Sequence, residues 1–153
     1  MMYYTHLAFG FLVSLIALNF INIENTILFI LITIFFSIFP DIDETRSKIG
    51  RKYNLTSKII NFFFGHRGFI HTIYIPLILF FIFSFINYDV SIAILIGYFS
   101  HLFLDAITKA GIRPLYPIYN KRINGPFKTN SIIEKIIFIS IISVNLYLIL
   151  ISI

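Results

Sequence analysis

Cysteine is absent from this 153-residue chain, which excludes disulfides, thiolate zinc sites and cysteine nucleophiles. Any transition metal must therefore be held by histidine nitrogen and carboxylate oxygen. Charge is scarce as well: 12% of residues are charged, against ~25% in soluble domains. A water-soluble fold of this size needs more polar surface than that to cover a core, so the globular class is excluded. Residues 1–5 carry no Lys or Arg and no small-residue cleavage site follows Leu18. The first apolar run is therefore expected to be a retained span and not a cleaved signal.

What the chain has in quantity is apolar surface, 58% hydrophobic residues with a mean hydropathy of +0.90. Five apolar stretches stand out: Tyr3–Ile23, Thr26–Phe39, Phe69–Tyr88, Val90–Ile107 and Ile132–Ile153. Lipid cannot satisfy exposed backbone groups, so these stretches are expected to be helices despite their β-prone Ile and Phe content. The expectation is an all-α polytopic membrane protein of about five transmembrane helices, forming a single domain over residues 1–153. The second stretch is short for a crossing that takes ~20 residues.

The connections Asn22–Asn25 and Asn87–Asp89 are tight, whereas Pro40–Gly68 and Thr108–Ser131 are long and polar. All 12 Lys and Arg residues lie between Arg46 and Lys135, in or beside the long connections. The tight turns hold Glu24 and Asp89 instead. This asymmetry predicts long loops on the cytoplasmic side of a plasma or inner membrane, with the amino terminus inside and the carboxyl terminus outside. The net charge of +5 is thereby read as topology, and no nucleic-acid partner is expected.

The five-span reading brings the chemistry-bearing residues to one face. His6 lies at the inner end of the first span, and Asp41 and Asp43 follow the second. His66, Arg67 and His71 open the third, His101 and Asp105 close the fourth, and Glu134 begins the fifth. His101 and Asp105, four apart, project from one face of a helix about a turn apart, a spacing that lets both hold one ion. Ionisable groups in membrane helices are costly and usually mark sites. Asp41 and Asp43, two apart after Pro40, are expected on extended chain with one of them a direct ligand. Gly65 and Gly68 put His66 in a turn and His71 in the first helical turns. His6, Asp41, Asp43, His66, His71, His101, Asp105 and Glu134 are the candidate metal ligands. They are too many for one zinc, which usually takes three protein ligands in a catalytic site. Either some orient the histidines or the site holds two or three ions. Arg67 suits two-pronged phosphate binding, better than Lys109 or Arg113. Thr108 is read as serving the backbone.

The segments Thr5-His6, Pro40-Asp41-Ile42-Asp43, His66-Arg67-Gly68-Phe69-Ile70-His71-Thr72 and Gly97-Tyr98-Phe99-Ser100-His101-Leu102-Phe103-Leu104-Asp105-Ala106-Ile107-Thr108 together resemble the YdjM-like family. Its members are described as membrane-bound metal-dependent hydrolases, some as LexA-binding inner-membrane proteins. Thr129-Asn130-Ser131-Ile132-Ile133-Glu134 looks like the family's Ser-x-x-Glu segment. The family is in turn thought similar to zinc-dependent phospholipases C. That resemblance implies a phospholipase C-like helical core, divalent ions (two or three zinc, with manganese the alternative) and phosphoester hydrolysis by metal-activated water. Asp41 would be the general base and Arg67 the phosphate holder. The soluble enzymes also use a free amino-terminal residue as a ligand, where this chain begins Met1-Met2-Tyr3-Tyr4. The expected function is a membrane-embedded phosphoesterase acting on a lipid or lipid-linked phosphate at the cytoplasmic face. The rival readings are an ion or metal transporter and a membrane adaptor. Transport sites normally lie near the bilayer midplane, not at one end of the spans.

Overall fold

A computed structural model describes residues 1–43 and 68–152. Five helices follow in order: α1 (Tyr3–Leu18), α2 (Thr26–Phe36), α3 (Tyr74–Ser84), α4 (Tyr88–Ala106) and α5 (Ile132–Ser152). Phe39–Asp43 and Phe69–His71 form 3-10 turns. Among the described residues the only β-pairing is two isolated bridges, Thr108 with Phe127 and Ile112 with Ile123.

The tight connections fold as the sequence implies. Asn25 accepts the Leu28 N–H at 3.0 Å and Asn87 accepts the Val90 N–H at 2.9 Å, so each hairpin's second helix opens on a side-chain cap. Asp89 also accepts the Glu24 N–H at 2.9 Å, tying the two acidic turns together at one end of the bundle.

α4 is the hub: it packs against α1, α2 and α3, while α5 leans on α1. Close approach follows from missing side chains. A Cβ on Gly97 would collide with the Thr33 carbonyl, and one on Gly10 with the Ser37 side chain, so α2 seats directly on α4 and α1. α1 is inside-out by soluble standards. Its buried residues are Thr5, His6, Ala8, Gly10, Ser14 and Ala17, whereas large apolar side chains cover the outer surface of the bundle. Lipid, being as apolar as leucine, gives no reason to hide such side chains.

Among the described residues, three segments are long and apolar enough to cross a membrane: Thr26–Asp43, Tyr88–Ala106 and Ile132–Ile151. The expected all-helical fold is there, with five helices in the described residues, but not all five have the length for a crossing. α1 has 16 residues and α3 has 11, or ~24 and ~16 Å against a ~30 Å hydrocarbon core. α3 is shorter than the apolar stretch Phe69–Tyr88 because its first residues are not α-helical. Thr72 is extended (φ −105°, ψ 161°), and the Ile73 N–H donates to the Pro114 carbonyl at 3.0 Å.

Candidate metal centre

The alternating helices bring the start of α1, the turn after α2, the turn before α3 and the end of α4 to the same end of the bundle. His6, Asp41, Asp43, His71, His101 and Asp105 meet there, all buried. The His71 and His101 Nε2 atoms are 3.2 Å apart. Asp105 Oδ2 stands 3.6 Å from His71 Nε2 and 3.8 Å from His101 Nε2. Its other oxygen, Oδ1, stands 3.4 Å from His6 Nε2 and 2.5 Å from the Met1 amino group. Asp41 Oδ1 is 3.9 Å from His101 Nε2. The His6 and His101 rings stack, with centroids 4.1 Å apart.

The far side of each ring fixes what the near side offers. His101 Nδ1 faces the Ser37 carbonyl at 2.9 Å, an acceptor only, so Nδ1 carries the hydrogen and Nε2 a lone pair. His71 Nδ1 faces Asp43 Oδ2 at 3.1 Å, with the same result. With both rings neutral, the Nε2 atoms of His71 and His101 face the carboxylate oxygens of Asp105 and Asp41 across one small volume, beside the Met1 ammonium on Asp105. This donor set of nitrogen and oxygen suits a cation. Ligand atoms on opposite sides of a tetrahedral edge, each ~2.0–2.1 Å from an ion, lie roughly 3.3 Å apart. The observed separations match that scale. Two donor groups, His6 with Asp41 and His101, and His71 with His101 and Asp105, each keep their ligand atoms within 4.8 Å of one another. The residues fit a divalent cation.

Asp41 and Asp43 lie on a 3-10 turn and not on the extended chain expected. The turn separates their tasks: Asp41 faces His101, and Asp43 stands behind His71. Glu134 is buried but outside both donor groups. It accepts the Met2 N–H at 2.6 Å and the Asn130 N–H at 2.5 Å, while the Ser131 hydroxyl accepts the Glu134 N–H at 3.3 Å. This is a capping-box arrangement at the start of α5, shifted by one residue. Thr108 serves the backbone as expected, donating to the Asp105 carbonyl at 2.8 Å. His66 and Arg67 lie outside the described residues. The sequence reading missed Ser37, whose carbonyl orients His101 and whose hydroxyl donates to the His6 carbonyl at 3.0 Å. A backbone acceptor leaves no signature in residue type.

The profile of the family described as YdjM inner membrane protein matches residues 1–152. A Bacillus subtilis (strain 168) protein named Uncharacterized protein YvsG is 40% identical over 114 residues, 72% of this chain and 71% of that relative. Inner membrane protein YdjM of Escherichia coli (strain K12) is 36% identical over 85 residues, 51% of this chain and 43% of its own length. The Shigella flexneri protein of the same name matches to the same extent. No solved structure matches. The family description and the apolar helices together place the chain in a membrane.

Proposed function

We propose that this chain, which belongs to the YdjM inner membrane protein family, is a membrane-embedded metal-dependent hydrolase, a phosphoesterase acting on a lipid or lipid-linked phosphate. The observation that carries the proposal is the convergence of the His71 and His101 Nε2 lone pairs, 3.2 Å apart, on the Asp105 carboxylate. His71, His101 and Asp105 would hold one divalent ion. His6 and Asp41 would complete its shell, or hold a second ion through the far oxygen of Asp105. Such an ion, zinc or manganese, supplies Lewis-acid polarisation of a phosphoryl oxygen and acidifies water.

The chain's own residues do the rest. Asp43 and the Ser37 carbonyl hold the two imidazoles in the tautomer that presents Nε2 inward. Asp41, 9% exposed where Asp43 and Asp105 are fully buried, is the most accessible carboxylate of the cluster and the candidate to take a proton from water. Arg67, next to the Gly68 that leads into the His71 turn, is the candidate to hold phosphate oxygens. In sequence the basic residues fall in the connections that follow α2 and α4 and in the first turn of α5, which supports a cytoplasmic site.

The test is metal analysis of the purified chain and of His101→Ala, alongside hydrolysis of a panel of phosphate mono- and diesters. The expected result is stoichiometric zinc or manganese in the first and its loss in the second, with hydrolysis following the metal. Absence of both metals from the unmodified protein overturns the proposal.

A further inference from the structure

The connection between α4 and α5 carries a second surface that the proposed chemistry does not use. Between Asp105 and Glu134 there is no acidic residue, but there are five cations: Lys109, Arg113, Lys121, Arg122 and Lys128. This connection is folded and not a tether. Ile112 and Ile123 exchange both backbone hydrogen bonds at 2.9 Å, and the Lys109 N–H donates to the Phe127 carbonyl at 2.8 Å. The Arg122 guanidinium donates to the Ala110 carbonyl at 3.1 Å. Gly111, at φ +61°, lets the two segments close, since a Cβ there would collide with the Ile123 carbonyl. The plate is fixed to the metal-centre end of the bundle through the Ile73 N–H bond to Pro114 and a 3.3 Å bond from the Tyr74 hydroxyl to the Leu115 carbonyl.

Its tip offers Ile118, 82% exposed, and Tyr119, 55% exposed, beside the exposed Lys121 and Arg122. Beside a bilayer this combination has a ready partner. Branched apolar side chains enter the acyl boundary, tyrosine rings favour the headgroup level, and cations are drawn to an anionic surface. We propose that the 108–131 plate docks on the headgroup layer of the leaflet its helices enter and binds anionic phospholipid there. Ile118 and Tyr119 insert at the acyl boundary, and Lys121 and Arg122 take headgroup phosphates. The inference rests on membrane location alone and stands or falls separately from the hydrolase reading.

The chain has no tryptophan, so Ile118→Trp makes a single fluorescent reporter in the intact chain. It is read in nanodiscs of phosphatidylcholine alone and of equimolar phosphatidylcholine and phosphatidylglycerol, with lipids brominated near the headgroup as quenchers. The expected result is blue-shifted, quenched emission in the anionic discs and a weaker effect in the neutral ones. A cation near such a surface favours it roughly fivefold, so Lys121→Gln with Arg122→Gln lowers the anionic preference by up to about thirtyfold. Because Arg122 also braces Ala110, Lys121→Gln with Lys128→Gln is the paired variant that leaves the brace intact. Water-exposed emission in both discs, or insertion that ignores lipid charge and both double variants, overturns the proposal.

Discussion

Asp43→Asn separates a ligand from a group that orients one. In the structure Asp43 Oδ2 meets His71 Nδ1 at 3.1 Å, and His71 Nε2 is the atom turned towards His101 and Asp105. The asparagine keeps the shape and an oxygen that can accept the Nδ1 hydrogen, but it loses the charge that makes the imidazole a better donor. Replacing such an outer partner typically costs ~10–100-fold in metal affinity, which is about 1.4–2.7 kcal/mol. The amide should fall near the lower figure because geometry survives. Asp43→Ala, which frees the ring to rotate, should fall near the upper one. The assay is zinc titration of the purified protein in detergent against a chromophoric chelator, with circular dichroism confirming that helix content is unchanged. Affinity equal to the unmodified protein in both variants would refute the orienting role. Complete loss in Asp43→Asn, as severe as in His101→Ala, would refute it in the other direction by making Asp43 a ligand.

Glu134→Ala strips two part-buried backbone N–H groups, of Met2 and Asn130, of their acceptor, at a cost below the ~1–3 kcal/mol that a fully buried unpaired group carries, since water can reach them. The expected result is a lower melting temperature in detergent with metal stoichiometry unchanged, and a folded variant that has lost metal would instead make Glu134 a ligand. Gly97→Ala should destabilise by ~1–3 kcal/mol, because its new methyl meets the Thr33 backbone. Gly10→Ala should cost a similar amount, since its methyl meets the Ser37 Cβ, which no rotamer change moves. Thermal stability of either variant equal to that of the unmodified protein would count against the tight helix crossing. The cysteine-free chain also suits labelling of single introduced cysteines in intact cells and inverted vesicles. Lys121→Cys should react from the cytoplasmic side and Glu24→Cys from the other, and reaction of both from one side would overturn the assigned topology.

How much of the site was readable depended on which geometry carries each contact. His101 and Asp105 could be paired from sequence because both sit on one helix, where a spacing of four fixes the shared face whatever the rest of the chain does. α4 itself was legible to within two residues at its start, Tyr88 against Val90, because an apolar stretch begins directly after the Asn87–Asp89 turn. α3 was less so: hydropathy counts Phe69–Ile73 as span, whereas a 3-10 turn and the bond to Pro114 take those residues out of the helix. The pairing of Asp43 with His71 joins residues 28 apart through two such turns, and no periodicity encodes it. Glu134 shows a different ambiguity. Its Ser131-x-x-Glu134 spacing is the signature of a helix start, yet an acid beside a histidine-rich end invites reading as a ligand. The turns that hydropathy cannot see are the elements that aim Asp41 and His71 into the cluster. The proposed chemistry therefore draws on both kinds of element: His6, His101 and Asp105 come from helices that hydropathy marks, whereas Asp41 and His71 reach the cluster from turns that it does not.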